Sequence, residues 1–219
     1  MEHERELREF TISSVKKLGL TIGEVQAEQF IRYLIHLIEW NKATNLTAII
    51  DPKEIIIKHF VDSLAALVAT NFPQNSVVLD VGSGGGFPGI PLKIVRSDLQ
   101  LILVEPIQKK CSFLNSVIGL LRLEDVSTFN GTIEQYAKRP LRHAVDIVVV
   151  RALKYEEIRK HLTSLLSSKE KVALYRTSAI EKQEMWEGFY LFSETALTLP
   201  QESGNRVITI IKKNNSLII

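Results

Sequence analysis

Residues 79–91 read LDVGSGGGFPGIP, and two glycine registers compete in them. Counted from Gly84, the spacing G-x-G-x-x-G is met by Gly84, Gly86 and Gly89, the dinucleotide fingerprint. Counted from Gly82, Phe87 stands where the third glycine would be. The preceding run Val77–Val81 is short, apolar and β-branched, which predicts a strand ending at Val81 and makes Gly82 the turn residue. The Gly84 register begins two residues beyond that strand and fits a strand-then-turn context poorly. Pro91 suits the first turn of a helix that begins late, near Gly89 or Ile90. A long glycine loop with an aromatic at its tip is therefore expected.

The same strand-and-helix grammar continues outward from the loop. Apolar runs at Leu99–Val104, Val126–Phe129, Val145–Val150, Lys171–Tyr175 and Val207–Ile211 alternate with helical stretches, the pattern of βαβ units around a mostly parallel sheet. Continuous apolar runs such as VDIVVV suit central strands covered on both faces. The segments FYLFSETALTLP and GNRVITIIKK read as an antiparallel pair closing the sheet. Before the loop, residues 1–70 repeat their apolar side chains at helical spacing (Phe30, Leu34, Leu37, Ile38, then Leu64, Leu67, Val68). Within them, Asp51, Pro52 and Glu54 carry the signature of a capped helix start. The expected organisation is an α/β, Rossmann-like domain over 73–219 with a helical N-terminal extension over 1–72, the two forming one compact unit.

With 219 residues, 45% hydrophobic and 24% charged, the chain can bury a full core and lacks the polar bias of disorder. Its apolar runs are far shorter than the ~20 residues of a membrane span. The opening MEHERELREF is charged where a signal peptide needs an apolar stretch, so a cytoplasmic protein is expected. A single cysteine excludes an internal disulfide and a cysteine-rich zinc site, and no metal site is expected. The net charge of +2 neither demands nor excludes a nucleic-acid partner.

Asp80, two residues before Gly82, puts a carboxylate where a phosphate-binding loop would avoid one. S-adenosylmethionine carries a sulfonium, an ammonium and no phosphate, so an acidic, glycine-lined pocket suits it better than NAD. Glu105 ends the next strand, twenty-three residues after Gly82, near the ~20-residue spacing at which an acid accepts ribose hydroxyls.

These residues, with WNKATNLTAI before KHFVDSL, LDVGSGGGFPGIPLKIV, LVEPIQKKCSFLN and VVVRAL, carry a resemblance that covers most of the chain. It resembles the RsmG (GidB) family of 16S ribosomal RNA guanine-N7 methyltransferases. The resemblance implies a class I S-adenosyl-L-methionine-dependent methyltransferase sheet with a helical N-terminal extension. It also implies cofactor contacts at Gly82, Gly84, Phe87, Glu105, Ile133, Glu134 and Arg151. The implied partner is 16S rRNA in the 30S subunit, at the 530 loop of the decoding region, and the protein is expected to act as a monomer. Alternatives are a small-molecule methyltransferase of the same fold and an NAD-binding protein.

Methyl transfer to guanine N7 uses a free lone pair and needs no proton removed beforehand. The fourth strand accordingly ends in VVRALK, without the Asn/Asp-Pro-Pro-aromatic signature that holds exocyclic amines. Cys111 follows Glu105 on a helix and reads as structural, which argues against a covalent cysteine route. Arg151 is the favoured catalytic or positioning residue, with a salt bridge to Asp146 or another local acid as the alternative. His59 and Asp62, with Ser63, share a helix face and either border the active site or bond one another. Candidate phosphate contacts are Lys42, Lys53, Lys58, Arg96, Lys109, Lys110, Arg122, Arg139, Arg142, Lys154, Arg176 and Arg206. Phe87 and Tyr155 are candidate stacking platforms for a splayed base, with helix packing the preferred reading for Tyr155. One departure stands out: where the family commonly has a lysine-glycine pair, this chain reads Tyr175-Arg176-Thr177.

Overall fold

A computed structural model describes residues 2–140, 144–166, 170–179 and 188–214. Helices α1 (Glu2–Lys17), α2 (Glu24–Thr44) and α3 (Pro52–Ile55), a π-helical turn (Ile56–Val61) and α4 (Ala65–Ala69) precede the sheet. Strands β1 (Val77–Val81), β2 (Gln100–Glu105), β3 (Val126–Asn130), β4 (Ile147–Arg151) and β5 (Lys171–Arg176) then alternate with α5 (Gly89–Val95), α6 (Gln108–Leu121), α7 (Ile133–Ala137) and α8 (Tyr155–Leu165). The chain closes with β6 (Phe189–Thr198) and β7 (Asn205–Lys213). No helix among the described residues is long and apolar enough to cross a membrane.

The described strands form a seven-stranded sheet in the order β3-β2-β1-β4-β5-β7-β6. β1 to β5 run parallel, whereas β7 pairs antiparallel with both β5 and β6. β1 lies between β2 and β4. The winding reverses there, and the carboxyl ends of these strands border the crevice where open α/β sheets bind ligands. The expected strands are all present, with ends shifted by one or two residues where a polar residue such as Glu105, Asn130 or Arg151 extends the ladder.

Side-chain parity organises the core. Val78, Leu101, Leu103, Ile147, Val149, Ala173, Ile208 and Ile210 pack on one face with Phe30, Tyr33, Leu34 and Phe60 from the N-terminal helices. Leu79, Val81, Val148, Val150, Val172 and Leu174 fill the other face against Ile158 and Leu162 of α8. The same period of two carries Asp80, Arg151, Tyr175 and Arg206 to the N-terminal-helix face.

Local signals act as the sequence suggests, with two differences. The Asp51 carboxylate accepts from the Glu54 amide at 2.8 Å with Pro52 at the first position of α3. Glu54 turns its carboxylate to Lys58 at 2.7 Å instead of closing a capping box. The stretch holding His59 winds as a π turn rather than an α-helix, so the three- and four-residue spacing argument does not apply there. α5 begins at Gly89 with Pro91 in its first turn, as expected.

Because Phe30 is fully buried in the core shared by helices and sheet, Phe30→Ala should cost about 3–5 kcal/mol. We expect urea transitions followed by tryptophan fluorescence and by far-UV dichroism to coincide in wild type and variant. Separated transitions would show that residues 1–72 unfold on their own.

Candidate functional site

The glycine loop turns sharply off β1. Gly82, Gly84 and Gly86 take φ of 74°, 56° and 91°, a region that side chains rarely adopt. Gly82 and Ser83 donate to the Val104 carbonyl of β2 at 2.9 and 3.1 Å, closing the turn over the neighbouring strand. Space is limiting as well as conformation. A Cβ on Gly86 would lie 2.5 Å from the Tyr33 hydroxyl, which donates to the Gly85 carbonyl. A Cβ on Gly82 would lie 2.6 Å from Leu153.

Asp80 is 0% exposed beneath this loop. Its Oδ2 accepts from the Gly89 amide at 2.9 Å and so fixes the start of α5; its Oδ1 is buried with no hydrogen-bond partner among the described residues. Burial pushes the Asp80 carboxyl up to about 7, against the opposing pull of Gly89, Ser83 and Arg151. A cation at the loop would draw it back towards ionisation.

Glu105, 3% exposed, ties the loop to β2. Its Oε2 accepts from the Gly84 amide at 2.8 Å and its Oε1 from Ile107 at 2.9 Å. A carboxylate has about four lone-pair sites, so acceptor capacity remains on both oxygens. The Gly131 amide donates to the Glu105 carbonyl at 3.1 Å. That bond brings the Thr132-capped start of α7, with Ile133 at its first position, to the same edge. Glu134 points its carboxylate to Lys138 at 2.9 Å, leaving its backbone as the part that follows Ile133.

Arg151 pairs with an acid other than Asp146. Its side chain is 15% exposed and its acid is Asp62, at 3.4 Å. Asp146 instead accepts from the Val77 amide at 2.7 Å. Nη2 of Arg151 donates to the Lys58 carbonyl at 2.9 Å and to His59 Nδ1 at 2.8 Å. Nη1 donates to the His59 carbonyl and Ser63 Oγ, each at 3.3 Å. The guanidinium also lies 5.7 Å from the centre of the Phe87 ring. His59, Asp62 and Ser63 therefore do meet, around Arg151.

Since Arg151 can only donate, His59 Nδ1 is the acceptor. Nε2 then carries the proton and donates to Thr47 Oγ1 at 2.6 Å. Burial, reinforced by the Arg151 charge, holds the imidazole down to about 3. Thr47 is set by Asn41, whose amide oxygen accepts from the Leu46 and Thr47 amides at 2.7 and 2.9 Å.

Packing corrects one expectation, for Phe87, and bears out another, for Tyr155. Phe87 is 8% exposed and turned inward, its ring 4.6 Å from His59 and 5.8 Å from Tyr33. It is a wall of the core, not a platform for a base. Tyr155 is buried on the opposite face against Phe189, as helix packing. Arg206 also leaves the phosphate candidates, because it grips Asp62 with Nε at 2.5 Å and Nη2 at 2.7 Å and reaches the Arg176 carbonyl at 3.1 Å. Arg96 holds Asp98 through two bonds of 2.7 Å. Lys42, Lys53 and Lys58 pair with Glu39, Glu6 and Glu54. Arg139 lies over Phe129; Lys109, Arg122 and Lys154 are exposed, and Arg142 lies outside the described residues. The Cys111 thiol is buried and donates to the Glu105 carbonyl at 3.1 Å.

Sequence reading missed Tyr33, Asn41 and Leu153, and it misassigned Arg206. Parity could have flagged Arg206, which shares a sheet face with Ile208 and Ile210. A groove of about 510 Å³ runs along β3 to the amino ends of β1 and β2 at Val77 and Gln100. It includes none of the loop, Glu105 or Arg151, which lie at the carboxyl ends of their strands.

For His59, the unfolded chain binds a proton below about 6.5 that the folded chain refuses until about 3. Its contribution to stability is therefore full above pH 6.5 and is lost as pH falls, by at most about 1.4 kcal/mol per pH unit. His59→Asn, which keeps an acceptor near Nδ1, should flatten the stability profile between pH 6.5 and 4.5 relative to wild type. Parallel profiles in urea titrations would mean that the folded imidazole is charged.

Comparison with known proteins follows the same outline. Residues 26–206 match the family model described as GidB, rRNA small subunit methyltransferase G. A ribosomal RNA small subunit methyltransferase G of Oceanobacillus iheyensis is 34% identical over 92% of this chain and 89% of its own. One from Staphylococcus epidermidis is 35% identical over 94% and 89%. Among solved structures, MtNAS in complex with MTA and tNA superposes with a TM-score of 0.58 at 13% identity, covering 87% of this chain and 75% of that one. The Bacillus subtilis m1A22 tRNA methyltransferase TrmK gives 0.54 at 16% identity, over 68% and 64%. At these identities the structures support the fold alone, a Rossmann-like sheet. Together with the length and identity of the sequence matches, they lead to one conclusion: the chain belongs to the rRNA small subunit methyltransferase G (GidB) family.

Proposed function

We propose that this protein transfers a methyl group from S-adenosyl-L-methionine to N7 of a guanine in 16S rRNA, with the 530 loop of the 30S subunit as its target. The observation that carries the reading is the convergence of the glycine loop, Glu105 and Arg151 on one sheet edge in a chain of this family.

The residues suit that cofactor. Gly82 and Gly84 let backbone approach it closely, and Glu105 retains acceptor sites for two ribose hydroxyls. Ile133, with the Glu134 backbone, offers an apolar surface for adenine. Asp80 beneath the loop opposes a pyrophosphate and favours a cation. When bound, S-adenosyl-L-methionine supplies an electrophilic methyl group on a sulfonium.

The protein's contribution is then alignment and a fixed electrostatic setting. Guanine N7 attacks with an existing lone pair, so the step requires no base beside it. Both His59 nitrogens are committed, to Arg151 and Thr47. Arg151 spends its donors on Lys58, His59 and Ser63, which favours pocket shaping over direct contact with RNA. His59, Asp62 and Arg151 are thus positioning residues that hold Phe87 and the loop. Exposed Lys109, Arg122 and Lys154 remain as candidate phosphate contacts.

Labelled donor incubated with 30S subunits and with deproteinised 16S rRNA should yield N7-methylguanosine on nucleoside analysis, and its absence from both would overturn the reading. Arg151→Lys, which keeps the charge but loses the planar fork, should lose about tenfold or more in kcat/KM. Wild-type turnover would remove Arg151 from the site.

A further inference from the structure

After β4 the chain leaves the sheet through Arg151-Ala152-Leu153-Lys154, and Ala152 takes φ of 65°. A left-handed residue with a Cβ is disfavoured. Such conformations persist where the surroundings fix them, and they cluster at ligand sites. The consequence here is direction, because the next side chain is laid across the glycine turn. A Cβ added to Gly82 would meet Leu153 Cδ1 at 2.6 Å and Cγ at 3.2 Å. The other side of Leu153 is open, and the residue is 40% exposed.

A singly exposed leucine is ordinary. This one is held against the loop by a strained neighbour, directly after Arg151 and at the carboxyl edge of the central strand. It stands between the glycine turn and solvent. Exposed Lys154 follows it and ends at the amino terminus of α8.

We propose that Leu153 is the apolar wall against which the acceptor guanine packs, a specificity residue for the base. The proposal rests on the function argued above. In solution, guanine N7 accepts a hydrogen bond from water, and that water must leave before the lone pair can attack. A leucine lying along the face of the purine offers dispersion contact to a planar ring and leaves the in-plane N7 lone pair open to the methyl group. It holds the plane without competing for N7, as a hydroxyl or amide donor would. The bond formed is N7 to methyl carbon and the bond broken is methyl carbon to sulfur, with the electron pair staying on sulfur. No proton moves in the step.

Leu153→Ala and Leu153→Met test it. Three quantities are measured: the Kd for labelled S-adenosyl-L-methionine, the Kd for deproteinised 16S rRNA without donor, and kcat and KM for methylation of wild-type-competent 30S or 16S substrate. We expect Leu153→Ala to leave donor affinity within about twofold, to weaken RNA binding, and to lower kcat/KM about tenfold, the scale of lost apolar contact in a pocket. Leu153→Met, which conserves volume, should recover to within about threefold of wild type. Wild-type kcat/KM in Leu153→Ala would overturn the proposal. So would a fall in donor affinity matching the fall in kcat/KM, which would place Leu153 on the donor. If wild-type protein forms no N7-methylguanosine, the functional reading fails and the wall fails with it. An active wild type with an equally active Leu153→Ala removes the wall alone.

Discussion

Asp62 is a fully buried carboxylate shared by two guanidinium groups, and the site depends on that sharing. A buried charge is tolerable only when paired and hydrogen-bonded. Arg206 meets the requirement with a two-pronged grip from β7, and Arg151 adds a second cation from β4. Asp62 itself follows the π turn of the N-terminal helices. Three segments distant in sequence are thereby fixed at one point beneath the carboxyl edge. Removing one member of such a cluster leaves the others uncompensated, a loss of about 3–5 kcal/mol.

From that point, order passes upward to the loop. Arg151, immobilised by Asp62, donates to the Lys58 and His59 carbonyls and so ties the π turn to β4. It also fixes the His59 tautomer, and the imidazole stacks on Phe87. Phe87 and Tyr33 then support the glycine loop from below, while Glu105 ties it to β2 from the side. The helical extension is therefore part of the site's foundation, because Tyr33, Thr47, His59 and Asp62 all come from it. Its apolar side chains share one core with the sheet.

The sheet was legible in the sequence because strands buried on both faces must be apolar along their whole length. The glycine register was legible too, since strand end, turn and late helix start leave few options for the backbone. The residues at strand ends that shape the loop, Gly82 and Glu105, could be placed by spacing alone. The roles of Phe87 and Arg206 could not. An aromatic at a loop tip looks exposed until the partner that covers it is known, here His59 and Tyr33 from another part of the chain. An arginine at the start of a strand looks like a surface cation until a carboxylate 144 residues away is found to need it.

Local patterns, then, determined this protein's strand order of appearance, its turn at Gly82 and the acid at Glu105, because those depend on steric rules within a few residues. Resemblance of motifs added the family. Tertiary structure alone decided which acid pairs with Arg151, which way Phe87 faces, that His59 is neutral and doubly bonded, and that Leu153 covers the turn. Each of these is settled by burial and by long-range pairing of charges, and neither is encoded in spacing along the chain.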